Sequence, residues 1–295
     1  MNKKHFKLLV LPSVRNMQKV IDKFPFPVDL TKGQFNKLEI IFNKGDVTIL
    51  YDGVDLREFS FVWLCSSWVS RDIAYAVQLY LDKNDIPNTP VEKSTSKLTD
   101  HMLLALNNIT SPDTLFIKHK NVEKYLVQIE NTCGYPVVVK DTKGSRGTHS
   151  IIAATEKELL EKIKELPGHK NYLFQRHIAN EYDWGIMVAN GVVVSGEKSY
   201  PCEGEFRNNA CNGAKEVFID LAEIPQQIKQ MALDCSDAID LDWSRSDIII
   251  DKNTQEPYVL ETNRFPGITP ETSEVDGAYA FISSQVVSPV SALAK

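Results

Sequence analysis

Short apolar runs separated by polar turns dominate the first third of the chain. The runs that predict strands are Phe6–Leu11, Leu38–Phe42, Val47–Tyr51 and Phe59–Leu64. The middle two flank the polar turn Asn43–Asp46 and therefore predict a β-hairpin. From Arg71 to Asp82 the apolar residues recur at helical spacing, and Pro87 follows, so this segment predicts a helix. Residues 1–95 are thus predicted to form a small α/β unit.

Helix and strand patterns alternate in the middle of the chain. The predicted helices are a segment that begins near Ser96, Lys118–Asn131 and Glu156–Leu166, and the predicted strands are Tyr135–Lys140 and Ser150–Ala154. Ser96 or Thr99 caps the first helix, and Thr155 caps the last, because hydroxyl side chains satisfy the free N–H groups of a helix start. With the lead-in helix, this second unit covers residues 96–172.

Strand patterns prevail in the last part of the chain, residues 173–295, which we treat as a third unit. The predicted strands are Tyr172–Phe174, Trp184–Val188, Val192–Ser195, Asp247–Asp251 and Tyr258–Glu261, and a helix is predicted over Pro225–Asp237. The turn Asn190-Gly191 predicts a hairpin between the second and third of these strands. The tail Gln285–Lys295 contains Ser288-Pro289 and is predicted to be loosely held.

Composition narrows the class of protein. The chain has 295 residues, a formal net charge of −6 and 43% hydrophobic residues, which excludes wholesale disorder. Its longest apolar stretch, Phe59–Cys65, is far shorter than the roughly 20 residues that span a bilayer, and no signal-peptide pattern opens the sequence. The acidic balance disfavours anionic partners. We therefore expect a soluble cytoplasmic protein that binds neither a membrane nor nucleic acid.

The cysteines are scattered along the chain and form no CxxC pair. They are Cys65, Cys133, Cys202, Cys211 and Cys235. The six histidines do not cluster with them, so the sequence disfavours both a zinc site and a disulfide framework. Buried, unreactive thiols are the expected state.

The first segment that suggests a chemical function is a loop with a lysine and two glycines. The predicted strand Tyr135–Lys140 ends in a lysine, and the loop that follows contains Gly144 and Gly147. Glycines allow backbone N–H groups to approach an anion, and Lys140 can place a positive charge on phosphate. A hairpin with an exposed lysine has the same pattern, so this segment alone leaves both interpretations open.

Hard oxygen ligands lie on the two strands that are predicted near the end of the chain. Asp247 lies on the first, and Glu261 and Asn263, two residues apart, share one face of the second. Carboxylate and amide oxygens suit Mg²⁺, which takes its remaining ligands from phosphates and water. An acidic turn at a sheet edge explains these residues equally well on their own. The following segment, Arg264–Pro270, is predicted to form a rigid loop beside the metal.

The order of these segments resembles that of ATP-grasp enzymes, especially the branch with the ribosomal-protein glutamate ligase and glutathione-synthetase-like enzymes. The resemblance runs from about Ser96 to Gly267. It implies a mixed α+β and α/β architecture, the ATP-grasp fold, in which two α+β lobes close on the nucleotide. An N-terminal α/β pre-ATP-grasp domain (1–95) would precede a small lid lobe (96–172) and a C-terminal lobe with the magnesium site (173–295).

The resemblance implies nucleotide contacts residue by residue. Two lysines and a flexible loop match the groups that hold the phosphates, a hinge matches the backbone that reads the adenine edge, and one acid lies on the ribose side. The implied nucleotide-binding residues are Lys97, Lys140, Gly144, Ser145, Arg146, Gly147, Gln175, Arg176, His177, Ile178 and Asp183.

The resemblance also implies metal-binding and catalytic residues. Asp247, Glu261 and Asn263 match the three magnesium ligands. Arg207, in the run Phe206-Arg207-Asn208-Asn209, matches a position near the phosphates and the acyl centre, and Arg245 matches the arginine that D-alanine–D-alanine ligases place at the transition state. Lys198 is a weaker catalytic candidate, because a solvated lysine on a strand edge explains it as well.

Three positions depart from the family pattern. Arg176 stands where the hinge usually has a glutamate, Gly185 stands where an arginine usually follows Asp183, and Ala214 replaces a glycine. These departures leave nucleotide binding in place and the substrate class open. The tryptophans Trp63, Trp68 and Trp243 are interpreted as packing residues.

The implied activity is ATP-dependent ligation of a carboxylate to an amine through an acyl phosphate, with release of ADP and phosphate. The expected cofactor is Mg²⁺, with Mn²⁺ as an alternative, and the expected partners are ATP, a carboxylate substrate and an amine acceptor on a small molecule, peptide or protein. A homo-oligomer is left open. Two other functions stay open: an ATP-grasp kinase, which the acidic balance disfavours, and a non-catalytic nucleotide-binding scaffold.

Overall fold

The computed structural model describes residues 6–144, 150–201 and 214–291. In the N-terminal part the strands are β1 (Phe6–Leu11), β2 (Val28–Lys32), β3 (Leu38–Asn43), β4 (Asp46–Tyr51), β5 (Val54–Asp55) and β6 (Phe61–Leu64), and the helices are α1 (Met17–Ile21) and α2 (Arg71–Lys83). A parallel sheet has the order β2-β1-β6, and β3, β4 and β5 form an antiparallel sheet. The sequence pattern misses β2, because its residues are only half-buried and alternate with polar ones.

Both faces of the parallel sheet are covered, as the apolar character of its central strand predicts. Alternate side chains of β1 and β6 pack against α1 and the C-terminal helix on one face, and against α2 and the antiparallel sheet on the other. The residues on the first face are Leu8, Val10, Phe61 and Trp63, and those on the second are Leu9, Leu11, Val62 and Leu64. The carboxyl ends of β1 and β6 therefore belong to a sheet that is packed on both faces.

The middle part of the chain forms a four-stranded antiparallel sheet. Its strands are β7 (Thr114–Ile117), β8 (Val137–Asp141), β9 (Ile151–Ala153) and β10 (Tyr172–Arg176), with helices α4 (Leu126–Cys133) and α5 (Glu156–Ile163). The order is β7-β10-β8-β9. The predicted division between residues 172 and 173 falls within β10, whose residues up to Arg176 pair with β7 and β8 of this sheet. The helix predicted from Lys118 begins as a 3₁₀ segment, His119–Tyr125.

A five-stranded antiparallel sheet dominates the last part of the chain. Its strands are β11 (Asp183–Ala189), β12 (Val192–Tyr200), β13 (Lys215–Phe218), β14 (Trp243–Ile250) and β15 (Pro257–Asn263), in the order β13-β12-β11-β14-β15. Helix α6 (Gln226–Ile239) packs on one face through Ile228 and Ala232. The β11–β12 hairpin is confirmed, and both turn residues, Asn190 and Gly191, have positive φ as a tight turn requires.

Helix α3 (Lys97–Leu106) joins the two larger sheets. It begins at the predicted cap, where Thr99 accepts a hydrogen bond from the backbone N–H of Ser96 (2.9 Å). Leu104 packs in the same cluster as α6, on the five-stranded sheet. The backbone N–H of Lys97 donates to the carbonyl of Thr142 (2.8 Å), at the end of β8. The lead-in helix therefore packs with the large sheet while it contacts the small one.

Helical structure extends into the tail, and the prediction that Gln285–Lys295 is loosely held stays a prediction. Helix α7 (Ser273–Ser291) takes up most of the segment that is predicted to be loosely held. Ala278, Phe281 and Ile282 are fully buried against the N-terminal parallel sheet and β14, and this burial holds the helix. The pattern misses it because the helix is apolar on more than one face, which leaves no clear helical period.

Three cysteines lie within the described ranges, and each is buried and free. Burial raises the pKa of the Cys65 and Cys235 thiols to about 12 and that of Cys133 to about 11. The prediction of buried, unreactive thiols is confirmed for these three; Cys202 and Cys211 lie outside the described residues. No helix in the described part of the chain combines the length and apolar character that a membrane span needs.

Candidate functional site

An open cavity of about 560 Å³ lies where the three parts of the chain meet. The β6–α2 loop, the start of α3, the loop after β8 and the end of β15 all line it. The predicted site residues Lys97, Gly144, Glu261 and Asn263 therefore share one cavity, although up to 166 positions separate them along the chain (263 − 97).

Strand register brings acidic residues into a row on one face of the large sheet. Glu197, Gly185, Asp247 and Glu261 lie directly opposite one another on β12, β11, β14 and β15. Residues directly opposite in an antiparallel sheet share a face, so the three carboxylates point to the same side. This is the side away from α6, whose cluster contains the alternate residue Trp184.

The predicted metal ligands contact one another. Asn263 donates through Nδ2 to Asp247 Oδ2 (3.1 Å), which leaves its amide oxygen as a potential ligand. Burial, with the neighbouring Glu261 and Glu197 carboxylates, raises the pKa of Asp247. Two crowded carboxylates and an amide oxygen form a donor set that suits a hard cation. Within the described residues no group of three or more His, Cys, Asp or Glu side chains forms a metal site, so a metal here would complete its shell elsewhere.

The Lys97 ammonium already pairs with one of these carboxylates. Its Nζ contacts Glu261 Oε2 in a partly buried ion pair. Burial alone would raise the pKa of Glu261, but Lys97, with help from Lys140 and Arg264, lowers it below its usual value. Glu261 is therefore ionised and paired with the Lys97 ammonium whether or not a metal ion binds.

Lys140 faces the same site from the small sheet. Burial, and next the charge of Lys97, lowers the pKa of Lys140 to about 8, while Glu261, Asp183 and Asp247 act in the opposite direction. Val137 and Val139 pack with α4 and α5, so Lys140 lies on the opposite face of β8, three residues before Lys143, which lines the cavity. The structure thus places Lys140 on the side of the small sheet away from its helices.

The base of the glycine loop is fixed by one buried acid. Asp141 Oδ1 accepts a hydrogen bond from the backbone N–H of Lys143 (2.9 Å), and Asp141 Oδ2 pairs with Lys170 Nζ (2.5 Å). Lys143 and Gly144 line the cavity. Ser145, Arg146 and Gly147 lie outside the described residues.

The predicted adenine hinge is only partly available. The side chain of Gln175 is buried and donates to Thr114 Oγ1 (3.0 Å), and the backbone N–H of Arg176 donates to the carbonyl of Asp113 (2.8 Å). Neither group is free to read a base edge in this arrangement. Of the predicted hinge, His177 and Ile178 are the residues that lie beyond the sheet pairing of β10.

Arg245 lies flat across the sheet over Gly185. A Cβ atom at Gly185 would stand 2.5 Å from Arg245 Nη2 and 2.7 Å from Nε, so only glycine leaves room for this guanidinium. Arg245 pairs with Glu197 and lies 3.5 Å from Asp247 Oδ1. Burial works against its charge, but these carboxylates outweigh burial and raise the pKa of Arg245. Arg245 thus occupies the space that a side chain at position 185 would take.

The structure does not bring Lys198 to this site. Lys198 lies opposite Trp184, on the face that carries α6, whereas its neighbour Glu197 points towards Arg245. The Lys198 ammonium rests over the rings of Tyr182 (4.2 Å) and Trp184 (4.7 Å). Its catalytic assignment therefore lacks geometric support, and a cation–π contact explains the residue. Arg207 lies outside the described residues.

Sequence reasoning misses several residues around the site. His101 lies one helical turn after Lys97 and is held neutral, because burial and the charges of Lys140 and Lys97 lower its pKa to about 4. Glu274 is buried and accepts a hydrogen bond from the backbone N–H of Thr269 (2.7 Å), which fixes the predicted rigid loop. In the sequence, the four-residue spacing of His101 from Lys97 could have indicated that both face the site. No local sequence pattern indicates Glu274.

Arg264 is the centre of a buried ionic network that joins β15 to the N-terminal unit. Its Nη2 lies 2.8 Å from Asp100 Oδ1, its Nε lies 2.8 Å from Glu92 Oε1, and its guanidinium stacks 3.4 Å above the Trp68 ring. Ser66 donates to both oxygens of Glu92 (2.8 and 2.9 Å). Trp68 is thus a stacking partner within the protein, whereas Trp63 and Trp243 pack in the core as predicted.

We expect Arg264→Leu to lower the free energy of unfolding by about 3–5 kcal/mol, because buried Asp100 loses its paired cation and buried Glu92 keeps only Arg71, at 3.6 Å. Chemical denaturation measures this loss. The matched control is Arg57→Leu, which breaks an exposed ion pair with Asp55 and should cost less than about 1 kcal/mol. Equal losses in the two variants would contradict the network.

Comparison with known sequences points to one family. A sequence model of the RimK-like ATP-grasp domain matches residues 94–284, more than half of the chain. The chain is 28% identical over 228 residues to a probable alpha-L-glutamate ligase 2 of Pseudoalteromonas atlantica, covering 76% of this chain and 72% of that protein. It is 31% identical over 181 residues to a probable alpha-L-glutamate ligase of Psychromonas ingrahamii, covering 60% of this chain and 58% of that protein.

Solved structures show the same fold. The crystal structure of a D-alanine–D-alanine ligase from Bacillus anthracis, complexed with ATP, aligns with a TM-score of 0.65 at 17% identity, covering 96% of both chains. At this level of identity the likeness concerns the fold. Because the alignment covers nearly the whole chain, it includes the N-terminal unit as well as the two larger sheets.

Proposed function

The chain belongs to the RimK-like ATP-grasp family and is an ATP-dependent ligase that forms C–N bonds, and we propose that it joins a carboxylate to an amine through an acyl phosphate. The fold class predicted from the sequence is confirmed by the likeness to an ATP-grasp ligase. The observation that carries the proposal is the single cavity that Lys143 and Gly144, at the end of the small sheet, share with Glu261 and Asn263 of the large sheet.

The proposed reaction has two steps. A carboxylate oxygen of the first substrate attacks the γ-phosphorus of ATP, the bond to the bridging oxygen breaks, and ADP leaves. The amine nitrogen of the second substrate then attacks the carbonyl carbon of the acyl phosphate, the C–O bond to phosphate breaks, and the nitrogen gives its proton to solvent. The products are an amide, ADP and inorganic phosphate.

This chain supplies positive charge at both steps. Lys140 and Lys143 lie on the side of the site where the glycine loop begins, and would hold the phosphates. Arg245, held over Gly185 by Glu197 and Asp247, would stabilise the oxyanion that forms when the amine attacks. Positioning of the two substrates supplies much of the remaining rate enhancement. The role of Arg207 stays a prediction.

Asp247, Glu261 and Asn263 would hold Mg²⁺, or Mn²⁺ in its place. The fit rests on the donor set itself, two adjacent carboxylates with an amide oxygen, and on the Lys97 ammonium that already balances Glu261. A bound Mg²⁺ would neutralise charge on the transferred phosphoryl group. Lys97 would then be free to turn from Glu261 towards the nucleotide.

The adenine would lie at the hinge between the two larger sheets. Because the Arg176 backbone N–H is already donated to Asp113, we propose that the backbone of His177 and Ile178 reads the base edge. Asp183, which acts electrostatically on Lys140 and accepts a hydrogen bond from Asn180 Nδ2 (2.5 Å), lies on the ribose side in this proposal.

The proposed function is tested by following ATP turnover with pairs of carboxylates and amines, including glutamate because of the names of the relatives. Stoichiometric ADP, inorganic phosphate and amide support a ligase. A phosphorylated substrate that accumulates without release of phosphate identifies a kinase. Nucleotide binding that is independent of magnesium, with no turnover for any pair, identifies a scaffold.

We expect Lys140→Met to weaken binding of ATP by about tenfold to a hundredfold, because a buried charge–phosphate contact is lost. Isothermal titration calorimetry measures the change. Lys157→Met, which removes a lysine from the exposed side of α5, is the control and should leave the affinity unchanged. An unchanged affinity in Lys140→Met would place the nucleotide elsewhere.

The affinity for magnesium-free ATP should also fall by about tenfold between pH 7 and pH 9, because Lys140 with a pKa of about 8 loses its proton in this range. The buried cysteine thiols should not contribute to this pH dependence, because their raised pKa values lie above pH 9. Binding titrations at several pH values measure the effect. Lys140→Met should show a flat profile over the same range, and a parallel fall in both proteins would assign the effect to another group.

A further inference from the structure

One wall of the cavity is apolar. Trp68 and Val69, in the β6–α2 loop, and Phe265, just after β15, line it together, and we refer to these three residues as the apolar wall. Val69 is 94% exposed and Phe265 is 38% exposed, although large apolar side chains gain stability when they are covered. The apolar wall is continuous with the part of the cavity that holds Lys97, Glu261 and Asn263.

The charges next to the apolar wall are already balanced. Arg264 lies behind Trp68 and is 8% exposed, with Asp100 and Glu92 as its two carboxylate partners. Lys97, on the other side, pairs with Glu261. Among the described residues that line the cavity, the remaining cation is Lys143, at the base of the glycine loop. The two described cations that lie next to the apolar wall, Arg264 and Lys97, are therefore both paired.

The position of the apolar wall in the fold is that of a ligand site. In the parallel sheet β1 has β2 on one side and β6 on the other, so the order of the strands reverses there. Ligands of open parallel sheets bind at the carboxyl ends of the strands at such a reversal, and the β6–α2 loop is one of those ends. Phe265 faces it from the loop that follows the metal ligands.

The network around Arg264 also makes the apolar wall rigid. Stacking on the guanidinium fixes the Trp68 ring, and Ser66, two residues earlier, is fixed by Glu92. The backbone carbonyl of Ile268 accepts a hydrogen bond from Asn16 Nδ2 (2.7 Å), which ties the loop after Phe265 to the N-terminal unit. A preformed apolar surface with fixed polar groups nearby is typical of small-molecule sites.

We propose that the apolar wall binds an uncharged, apolar side chain of the amino acid or peptide that this ligase joins. The inference rests on the proposed function and names its substrate class. A glutamate side chain would bring a carboxylate to a surface beside which Arg264 and Lys97 are already paired, and would lose part of its hydration there. A side chain such as that of methionine or leucine covers Val69 and Phe265 instead.

The test compares three free amino acids of nearly equal shape: L-methionine, L-glutamine and L-glutamate. Each is titrated by calorimetry into the protein loaded with Mg²⁺ and the non-hydrolysable ATP analogue AMP-PNP. We expect methionine to bind at least about tenfold more tightly than glutamate, with glutamine between them, because glutamine removes the charge and keeps the polarity. Equal binding, tighter binding of glutamate, or no binding of methionine would overturn the proposal.

Two variants tie the preference to the apolar wall. Val69→Asp and Phe265→Ser should each weaken methionine binding at least about tenfold while the affinity for AMP-PNP stays unchanged. The matched control is Val127→Asp, which places the same charge on an exposed valine of α4, outside the cavity. If the control weakens methionine binding as much as the two variants do, the assignment of the wall is wrong.

The two proposals fail in different ways. If ADP, phosphate and amide form only when glutamate is supplied, the ligase function stands and the apolar subsite falls. If methionine binds and depends on Val69 and Phe265, but no pair of substrates yields ADP, the subsite stands and the proposed function falls.

Discussion

Glu261→Gln and Asp247→Asn are each expected to lower ATP turnover by at least about a thousandfold. These residues lie side by side in the register of β14 and β15, at the point where the charge of the transferred phosphoryl group must be balanced. Metal-ion stabilisation of such a group is worth several kcal/mol, and about 1.4 kcal/mol corresponds to a factor of ten in rate. Release of ADP at saturating ATP and Mg²⁺ measures the loss.

A carboxylate on the opposite side of the sheet provides the control. Asp234→Asn changes an exposed acid on α6, which packs on the face away from the site, and it should keep wild-type turnover. Thermal unfolding of all three variants separates lost chemistry from lost folding. Folded Glu261→Gln protein with activity within about threefold of wild type would contradict the metal assignment.

Arg245→Met is expected to lower kcat by about a hundredfold to a thousandfold while the affinity for ATP stays near wild type. Loss of a single group that stabilises an oxyanion has an effect of this size. Gly185→Ala probes the same group without removing it, since the new Cβ would stand 2.5 Å from Arg245 Nη2 and must displace the guanidinium. We expect an intermediate loss of kcat in Gly185→Ala, from steady-state kinetics with the substrate pair that supports turnover.

Lys198→Met distinguishes this account from the one that the sequence alone suggests. Lys198 lies on the other face of the sheet, over Tyr182 and Trp184, so its replacement should change kcat by no more than about twofold. If Lys198→Met loses as much activity as Arg245→Met, the face assignment is wrong. A loss of ATP affinity in Arg245→Met equal to its loss of kcat would move Arg245 from the acyl centre to the nucleotide.

Strong local patterns made much of the fold predictable. Phe6–Leu11 is a run of apolar residues in a sheet covered on both faces, and the helix that begins at Arg71 has clear helical spacing, so both segments are located correctly. The short strands β2, β7 and β13 lie at sheet edges, where half-buried residues give no clear period. Helix α7 is missed because tertiary burial of Phe281 and Ile282, and not a local pattern, holds it.

Local motifs in the sequence mark the candidate site residues, but they do not show which of these residues lie together. The sequence predicts Asp247, Glu261 and Asn263 at strand ends and Lys140 at the end of a buried strand. In the structure Glu261 and Asn263 lie in the last three residues of β15, whereas Asp247 lies in the middle of β14, because this strand begins earlier, at Trp243. The face of the sheet on which a strand residue lies depends on the strand register. Glu197 and Lys198 are neighbours on β12 and therefore lie on opposite faces. Contacts such as Lys97 with Glu261, and Arg264 with Asp100, join residues 164 positions apart, and no local pattern encodes them.

We propose that one triphosphate lies between Lys140 on the small sheet and the Asp247, Glu261 and Asn263 set on the large sheet. A crystal structure with AMP-PNP and Mn²⁺ tests it most directly, because the anomalous signal of manganese locates the metal. We expect manganese to be bound by oxygens of these three side chains, with Lys140 Nζ about 3 Å from a phosphate oxygen. Manganese on other ligands, or phosphates out of reach of Lys140, would contradict it.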